Sequence, residues 1–146
     1  MSRIKIKPQG KKVFQHHDSL RITDMNYGDH LGNDKVLSLF HDARVRWMHE
    51  NQQTELDFYH SSLIQHDSIV NYKAQALAHD EIIIEVFIDD IDFKSFDFYY
   101  RISRCSDQEE IAVGKTGMTF FNYQTNKIAK TPEEFIKLFG QRYGIN

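Results

Sequence analysis

One cysteine, two prolines and no long apolar run set the first limits on this 146-residue chain. With Cys105 alone, no intrachain disulfide can form, which points to a reducing, cytoplasmic setting. Cys105 has no histidine beside it and lies in a strand-like run, so it reads as a structural thiol rather than a nucleophile. Pro8 and Pro132 fall near the two ends. Between them there is no Pro/Gly/Ser-rich linker, internal repeat or low-complexity tract, so residues 1–146 read as a single domain. No stretch approaches the roughly 18 apolar residues of a membrane span. The charged N-terminus is not followed by an apolar segment either, so neither a membrane nor a secretory leader is expected.

An excess of one charge is also missing. The formal net charge is −3, which argues against nucleic acid as a partner, since such binders carry a strongly basic face. The basic residues Arg3, Lys5, Lys7, Lys11 and Lys12 form one short cluster that reads as a solvated terminus. His16 and His17 are adjacent and would point to opposite faces of a strand. His60, His66 and His79 are scattered without the His-x-His or Glu-x-x-His spacing of metal sites, so no metal is expected. No Gly-x-Gly-x-x-Gly or Walker motif occurs, which removes nucleotide binding in that style.

What is present belongs to an ordinary globular domain, with 40% apolar and 27% charged residues and enough length to bury a core. Val13 to Thr23 reads as a first strand. Asp34 to His49 follows a helical period, with Val36, Leu39, Phe40, Ala43 and Trp47 on one side. Leu37 and Met48 widen that stripe to about half the circumference, which predicts a helix largely embedded in the core. Asn33 suits the N-cap and Asp34 the positive end of the helix dipole. Arg44 projects near the Leu37–Met48 edge of the stripe. Two readings of it stand: its stem covers the edge with the head in water, or it is a partly buried cation held by a carboxylate, with Asp24 the first candidate.

Gln52 to Tyr59 is polar and compatible with a short helical turn. From Leu63 to about Tyr123 the chain alternates as strands. Ile82, Ile84, Val86 and Ile88 interleave with Ile83, Glu85, Phe87 and Asp89; Phe96, Phe98, Tyr100 and Ile102 interleave with Asp97, Tyr99, Arg101 and Ser103. The separators near Ala78–Asp80, Phe93–Ser95 and Ser106–Gln108 are short enough for antiparallel connections. Thr131 and Pro132 open a last short helix, as cap and first helical residue. One long helix on an antiparallel sheet of about five strands is an α+β architecture. Apolar residues on both sheet faces suggest that one face or an edge meets another subunit.

Between the first strand and the helix lies Asp24-Met25-Asn26-Tyr27-Gly28-Asp29-His30-Leu31-Gly32-Asn33. A strand-to-helix turn of this kind gathers backbone N–H donors and acid–base side chains around one point. His30 is a histidine, the side-chain type that changes charge near neutrality; it reads either as a general base or as a residue that shapes the turn. Asp24 either pairs with Arg44 or orients His30, Asp29 reads as a turn-former, and Tyr27 is kept as a substrate contact.

This turn, followed by Phe40-His41-Asp42-Ala43-Arg44-Val45-Arg46-Trp47, resembles a known family. The arrangement resembles the hotdog fold, and the chain is similar to the 4-hydroxybenzoyl-CoA thioesterase-like branch of acyl-CoA thioesterases. Further matches are Tyr72-Lys73-Ala74, His79-Asp80-Glu81-Ile82, Ser95-Phe96-Asp97-Phe98 and Pro132-Glu133-Glu134-Phe135, so the likeness spans about residues 12–138. The family pattern at the turn runs approximately Asp-x-Asp-x-x-Gly-His-Val-Asn-Asn. The resemblance implies a homodimer, often doubled to a tetramer, with active sites between subunits. It implies an acyl-CoA substrate and no cofactor beyond the CoA that the substrate carries. The backbone N–H at Asn33 would polarise the thioester carbonyl, with Ser95 and Tyr27 touching substrate. Two departures stand out. The family's catalytic carboxylate aligns with Asn26, which can orient water but can neither attack a thioester nor take a proton at neutral pH; Asp29 stands where glycine is expected. The set Asn26, His30, Asp24 and Asn33 therefore carries the expected thioester hydrolysis. The alternatives are a hotdog domain that binds an acyl thioester or a partner protein without turnover, and the hydratase branch of the same fold.

Overall fold

The structure, a computed structural model, describes residues 4–140; Arg3 of the basic cluster lies outside them. β1 (Lys11–Ser19) leads through a 3-10 turn (Ile22–Asp24) to α1 (Asn33–Glu50). There follow β2 (Ser62–Tyr72), β3 (Glu81–Asp89), β4 (Ser95–Arg104), β5 (Glu110–Asn122), β6 (Lys127–Ile128) and α2 (Glu133–Phe139). The strands form one antiparallel sheet in the order β1-β3-β4-β5-β2, with β6 attached to β5. The expected layout of one long helix on an antiparallel sheet is borne out, with the two-residue β6 as an unanticipated sixth strand. Among the described residues no helix is long and apolar enough to cross a membrane.

Alternation in β3 and β4 sets the core. Ile82, Ile84, Val86, Phe96, Phe98, Tyr100 and Ile102 are fully buried against α1, each such side chain contributing roughly 1.5–3 kcal/mol by leaving water. Phe40 of α1 stacks on Tyr100 with ring centres 4.5 Å apart. That approach requires Gly114 on β5, where a Cβ would overlap the Phe40 ring. Away from the helix, Lys12, Glu85, Arg101, Glu110 and Lys73 form a chain of ion pairs across the sheet. At one end of the core, Trp47, Phe58, Phe96, Phe120, Phe135 and Phe139 make an aromatic cluster that docks α2.

Several boundaries differ from expectation for identifiable reasons. β1 stops at Ser19 because Leu20 exchanges backbone bonds with His79 and Asp80 and the Asp24 carboxylate accepts the Arg21 N–H at 2.9 Å, closing the turn. Gly32, not Asn33, occupies the N-cap, and Asn33 is the first helical residue. A Cβ at position 32 would come within 2.8 Å of the Asp34 carboxylate. Likewise Pro132 is the cap of α2, while the Thr131 hydroxyl donates to the Asp92 carbonyl. No helical turn forms at Gln52–Tyr59. There Thr54 caps Asp57, and Tyr59 and His60 both adopt positive φ in a tight turn closed by Phe58 and Ser61. Cys105 is exposed just beyond β4 rather than within a strand. The basic terminus is not wholly solvated, since the Asn71 amide binds the backbone at Ile4 and Ile6.

The buried stripe of α1 is narrower than expected: Val36, Phe40, Ala43, Arg44, Trp47 and Met48. Leu37 and Val45 are exposed, and on the side of the sheet that faces α1, Gln65 and Ser68 of β2 are exposed as well. The helix therefore leaves the middle of β2 uncovered, between the buried Leu63 and the partly buried Val70. Arg44 is the buried, carboxylate-held cation of the second reading, but its carboxylate is Glu55, at 2.9 Å, and not Asp24. Its other nitrogen donates to Tyr100 at 3.0 Å and to Thr116 and Gln65 at 3.4 Å. Burial works against the Arg44 charge, but Tyr100 and Glu55 outweigh it and hold the guanidinium above its ordinary pKa. Asp24 cannot serve because its carboxylate already closes the turn after β1.

Candidate active site

The turn from Met25 to Leu31 is held by its own backbone. Asn26 N–H donates to the His30 carbonyl, Asp29 N–H to the Asn26 carbonyl, and Leu31 N–H to Ala76, while Gly32 N–H reaches the Asp24 carbonyl, all at 2.8–3.1 Å. The Asn26 side-chain oxygen accepts the N–H of Gly28 at 2.9 Å and of His30 at 3.3 Å. This is an Asx turn, in which a short polar side chain replaces a backbone acceptor. Asp29 takes φ 62° at the tip, a conformation that Asn and Asp tolerate better than most residues.

The turn forms one wall of a cavity of about 350 Å³ at the start of α1, lined among others by Asn26, His30, Asn33, Val36, Tyr72 and Ile111. Three of the expected catalytic residues are thus brought together: Asn26, His30 and Asn33. Asn33 contributes the first N–H of the helix, which has no intrahelical acceptor and points along the positive end of the helix dipole. Asp24 does not line the cavity; it is structural, through its carboxylate and its carbonyl.

The two expected substrate contacts lie elsewhere in the chain. Tyr27 projects fully into solvent and is not part of the cavity wall. Ser95 starts β4 opposite Thr119, with its hydroxyl bound to the Asp92 carboxylate at 3.0 Å. The cavity lies near Ala112, seven residues along β5 from Thr119, or about 24 Å at 3.4 Å per residue.

One residue of the cavity was not singled out from the sequence. Tyr72, at the end of β2, faces the helix side of the sheet opposite Ala112, and its hydroxyl donates to the Asn33 carbonyl at 3.2 Å. Burial, and then the charge of Asp34, hold its phenol above the ordinary tyrosine pKa. The alternation of β2 would have placed it there, because Val70 two residues earlier faces the same side. Lys73, next along the wall, is tied to Glu110 at 3.3 Å.

The half-wrapped helix, the edge-exposed sheet and the polar turn at the helix start define a hotdog domain of the thioesterase type. The chain belongs to the thioesterase-like superfamily, whose family model matches residues 20–139. No curated protein matches it. Among solved structures it is similar to Slr0204, a 1,4-dihydroxy-2-naphthoyl-CoA thioesterase from Synechocystis, with 16% identity over 84% of this chain and 91% of that one and a TM-score of 0.75. SAV2348 from Staphylococcus aureus, solved in complex with CoA, is 16% identical over 95% of this chain and 89% of that one, with a TM-score of 0.77. A thioesterase-superfamily protein from Jannaschia sp. CCS1 gives 16% identity, 90% and 84% coverage, and a TM-score of 0.77. At such identities the likeness is one of fold, and it is the hotdog fold that the turn and helix resemble.

Proposed function

We propose that this chain hydrolyses an acyl-CoA thioester to the free acid and CoA. The observation that carries the reading is the cavity at the start of α1, where Asn26 and His30 stand around the first free N–H of a helix. A helix N-terminus stabilises negative charge, and the thioester carbonyl oxygen becomes an oxyanion during acyl transfer. The carbonyl oxygen is set toward the Asn33 N–H. Because the Asn26 side-chain oxygen is engaged within the turn, its NH2 group is the part that meets the cavity, and it orients the attacking water. His30 takes the proton as the water oxygen bonds to the carbonyl carbon. Collapse of the intermediate breaks the C–S bond, and His30 returns the proton to the departing CoA thiolate. CoA enters only as part of the substrate, and no further cofactor is needed.

We further propose a homodimer, or a tetramer built from it, in a cytoplasmic setting. Among the described residues β2 pairs with a strand, β5, on one side only; apart from Asn71, which holds the backbone at Ile4 and Ile6, its 11 residues leave an open edge of backbone donors and acceptors. Gln65, Ser68, Leu37 and Val45 lie exposed beside it. Tyr27 and Ser95 would meet substrate only from a second subunit.

Purified protein assayed against short, long and aromatic acyl-CoAs tests the hydrolytic reading; folded protein inert toward all of them overturns it. A second reading, a hotdog domain that holds an acyl thioester or a partner protein without turnover, is favoured by one observation. The position of the family's carboxylate is an amide whose oxygen is already bound within the turn. Tight acyl-CoA binding without CoA release would select it.

A further inference from the structure

The backbone donors around the cavity are almost all engaged. The N–H groups of Asn26, Gly28, Asp29, His30, Leu31 and Gly32 each have an acceptor within the turn or on Ala76. Beside the Asn33 N–H, the uncharged side-chain donors on the wall are the amides of Asn26, Asn33 and Gln75 and the Tyr72 hydroxyl; of these the hydroxyl is carried on a rigid ring and already lies 3.2 Å from the Asn33 carbonyl. A single N–H is a sparse site for an oxyanion, since each donor of such a site is worth about 10²–10³ in rate.

We propose that Tyr72 is a catalytic residue, its hydroxyl acting with the Asn33 N–H as the second donor to the thioester oxygen. This inference rests on the acyl-CoA reading above and deepens it. In the unliganded chain the phenol donates to the Asn33 carbonyl at 3.2 Å, in an exposed position. That carbonyl also faces the next helical turn, where it accepts the ordinary i+4 bond. The Tyr72 proton can therefore leave it without stranding an acceptor. Rotation about the Cζ–O bond swings the proton into the cavity while the ring stays in place. A phenol is protonated at neutral pH, so it is a donor and not a base.

The step balances without proton transfer from Tyr72. As the water oxygen adds to the carbonyl carbon, the π electron pair moves onto the carbonyl oxygen, and Tyr72 and Asn33 hydrogen-bond to the resulting charge. When the C–S bond breaks, the carbonyl re-forms and the two bonds weaken again. A hydrogen bond to an ionised oxygen is about twice as strong as one to a neutral carbonyl. The contribution is therefore larger in the transition state than in the bound substrate, which lowers the barrier rather than merely tightening binding.

Tyr72→Phe tests this, because it keeps the ring and deletes only an exposed hydroxyl. With the best acyl-CoA substrate of the wild type, kcat is expected to fall about 100–1000-fold, with KM within about twofold and the melting temperature unchanged. A kcat within twofold of wild type overturns the inference while leaving thioester hydrolysis in place. So does a rise in KM at constant kcat, or a loss of activity that follows a loss of stability. If the wild type hydrolyses no acyl-CoA, the functional reading fails and Tyr72 is judged by binding. The probe is then an acyl-CoA analogue with CH2 in place of sulfur, which retains the carbonyl. About fivefold weaker binding by Tyr72→Phe, the worth of one neutral hydrogen bond, supports the donor; equal binding, or none by either protein, overturns it.

Discussion

Replacing Glu55 by alanine is expected to destabilise the fold more than removing the arginine that it holds. Arg44 is 4% exposed and Glu55 33% exposed. The Glu55 carboxylate receives both Nε and Nη2 of Arg44, at 3.2 and 2.9 Å, and one ring nitrogen of His41 lies 3.0 Å from it. In Glu55→Ala the guanidinium keeps only the neutral partners Tyr100, Thr116 and Gln65. Breaking a buried pair in this way costs about 3–5 kcal/mol when both ions are dry. Because Glu55 is partly hydrated, water replaces some of it, and about 2–3 kcal/mol is expected. Arg44→Met removes the buried charge itself. Glu55 can then turn to water, and the 2.6 Å bond between Tyr100 and Thr116 remains, so the cost is about 0–1.5 kcal/mol. The double variant should resemble Arg44→Met alone. Urea unfolding followed by the fluorescence of Trp47, the single tryptophan, measures all three. The reasoning is refuted if Glu55→Ala lies within about 0.5 kcal/mol of wild type, a typical surface change, or if Arg44→Met is the more damaging of the two.

Asp97 offers a pH-dependent counterpart. Burial, then a hydrogen bond with Asp90, raise its carboxyl to about 7 from an ordinary 3.8, Lys115 opposing and Asp67 adding to the rise; Tyr99 and Asp89 border the same cluster. The folded state thus binds a proton that the unfolded chain has already lost between these pH values, and stability falls as pH rises from about 4 to 7. Asp97→Asn should therefore be more stable than wild type at pH 8, by about 1–2 kcal/mol after solvent screening, with the gain fading at pH 5; a gain that is independent of pH would refute the assignment. At the turn, Asn26→Ala should lower the hydrolysis rate and Asn26→Asp should preserve or raise it, since a carboxylate can take a proton from water. Initial rates of CoA release decide this, and an unaffected alanine variant removes Asn26 from the mechanism.

Strand alternation made β3 and β4 legible almost to the residue, because one buried face leaves a strict period of two. The helical period did the same for α1, though it overstated its burial: periodicity cannot show that the middle of β2 is left uncovered, or that Leu37 and Val45 are exposed. The tight turn at Tyr59 and His60 escaped notice because neither residue is a usual choice at positive φ. Glu55 could not be foreseen as the partner of Arg44, since it sits in an irregular loop 11 residues away. Asn26, His30 and Asn33 were adjacent in sequence and remained adjacent in space, whereas Ser95 needed the register of the sheet to show that it starts β4 at the other end. The alternation of β2 puts Tyr72 on the helix side of the sheet, but its contact with Asn33, 39 positions away, depends on how α1 packs on that sheet, which local pattern does not encode.

The central claim is thioester hydrolysis at the start of α1, and the release of free CoA thiol from acyl-CoA tests it most directly. Wild-type protein should liberate thiol from at least one class among short, long and aromatic acyl-CoAs, well above the uncatalysed rate. Folded protein that binds these compounds, or ignores them, and releases no thiol from any class would contradict it.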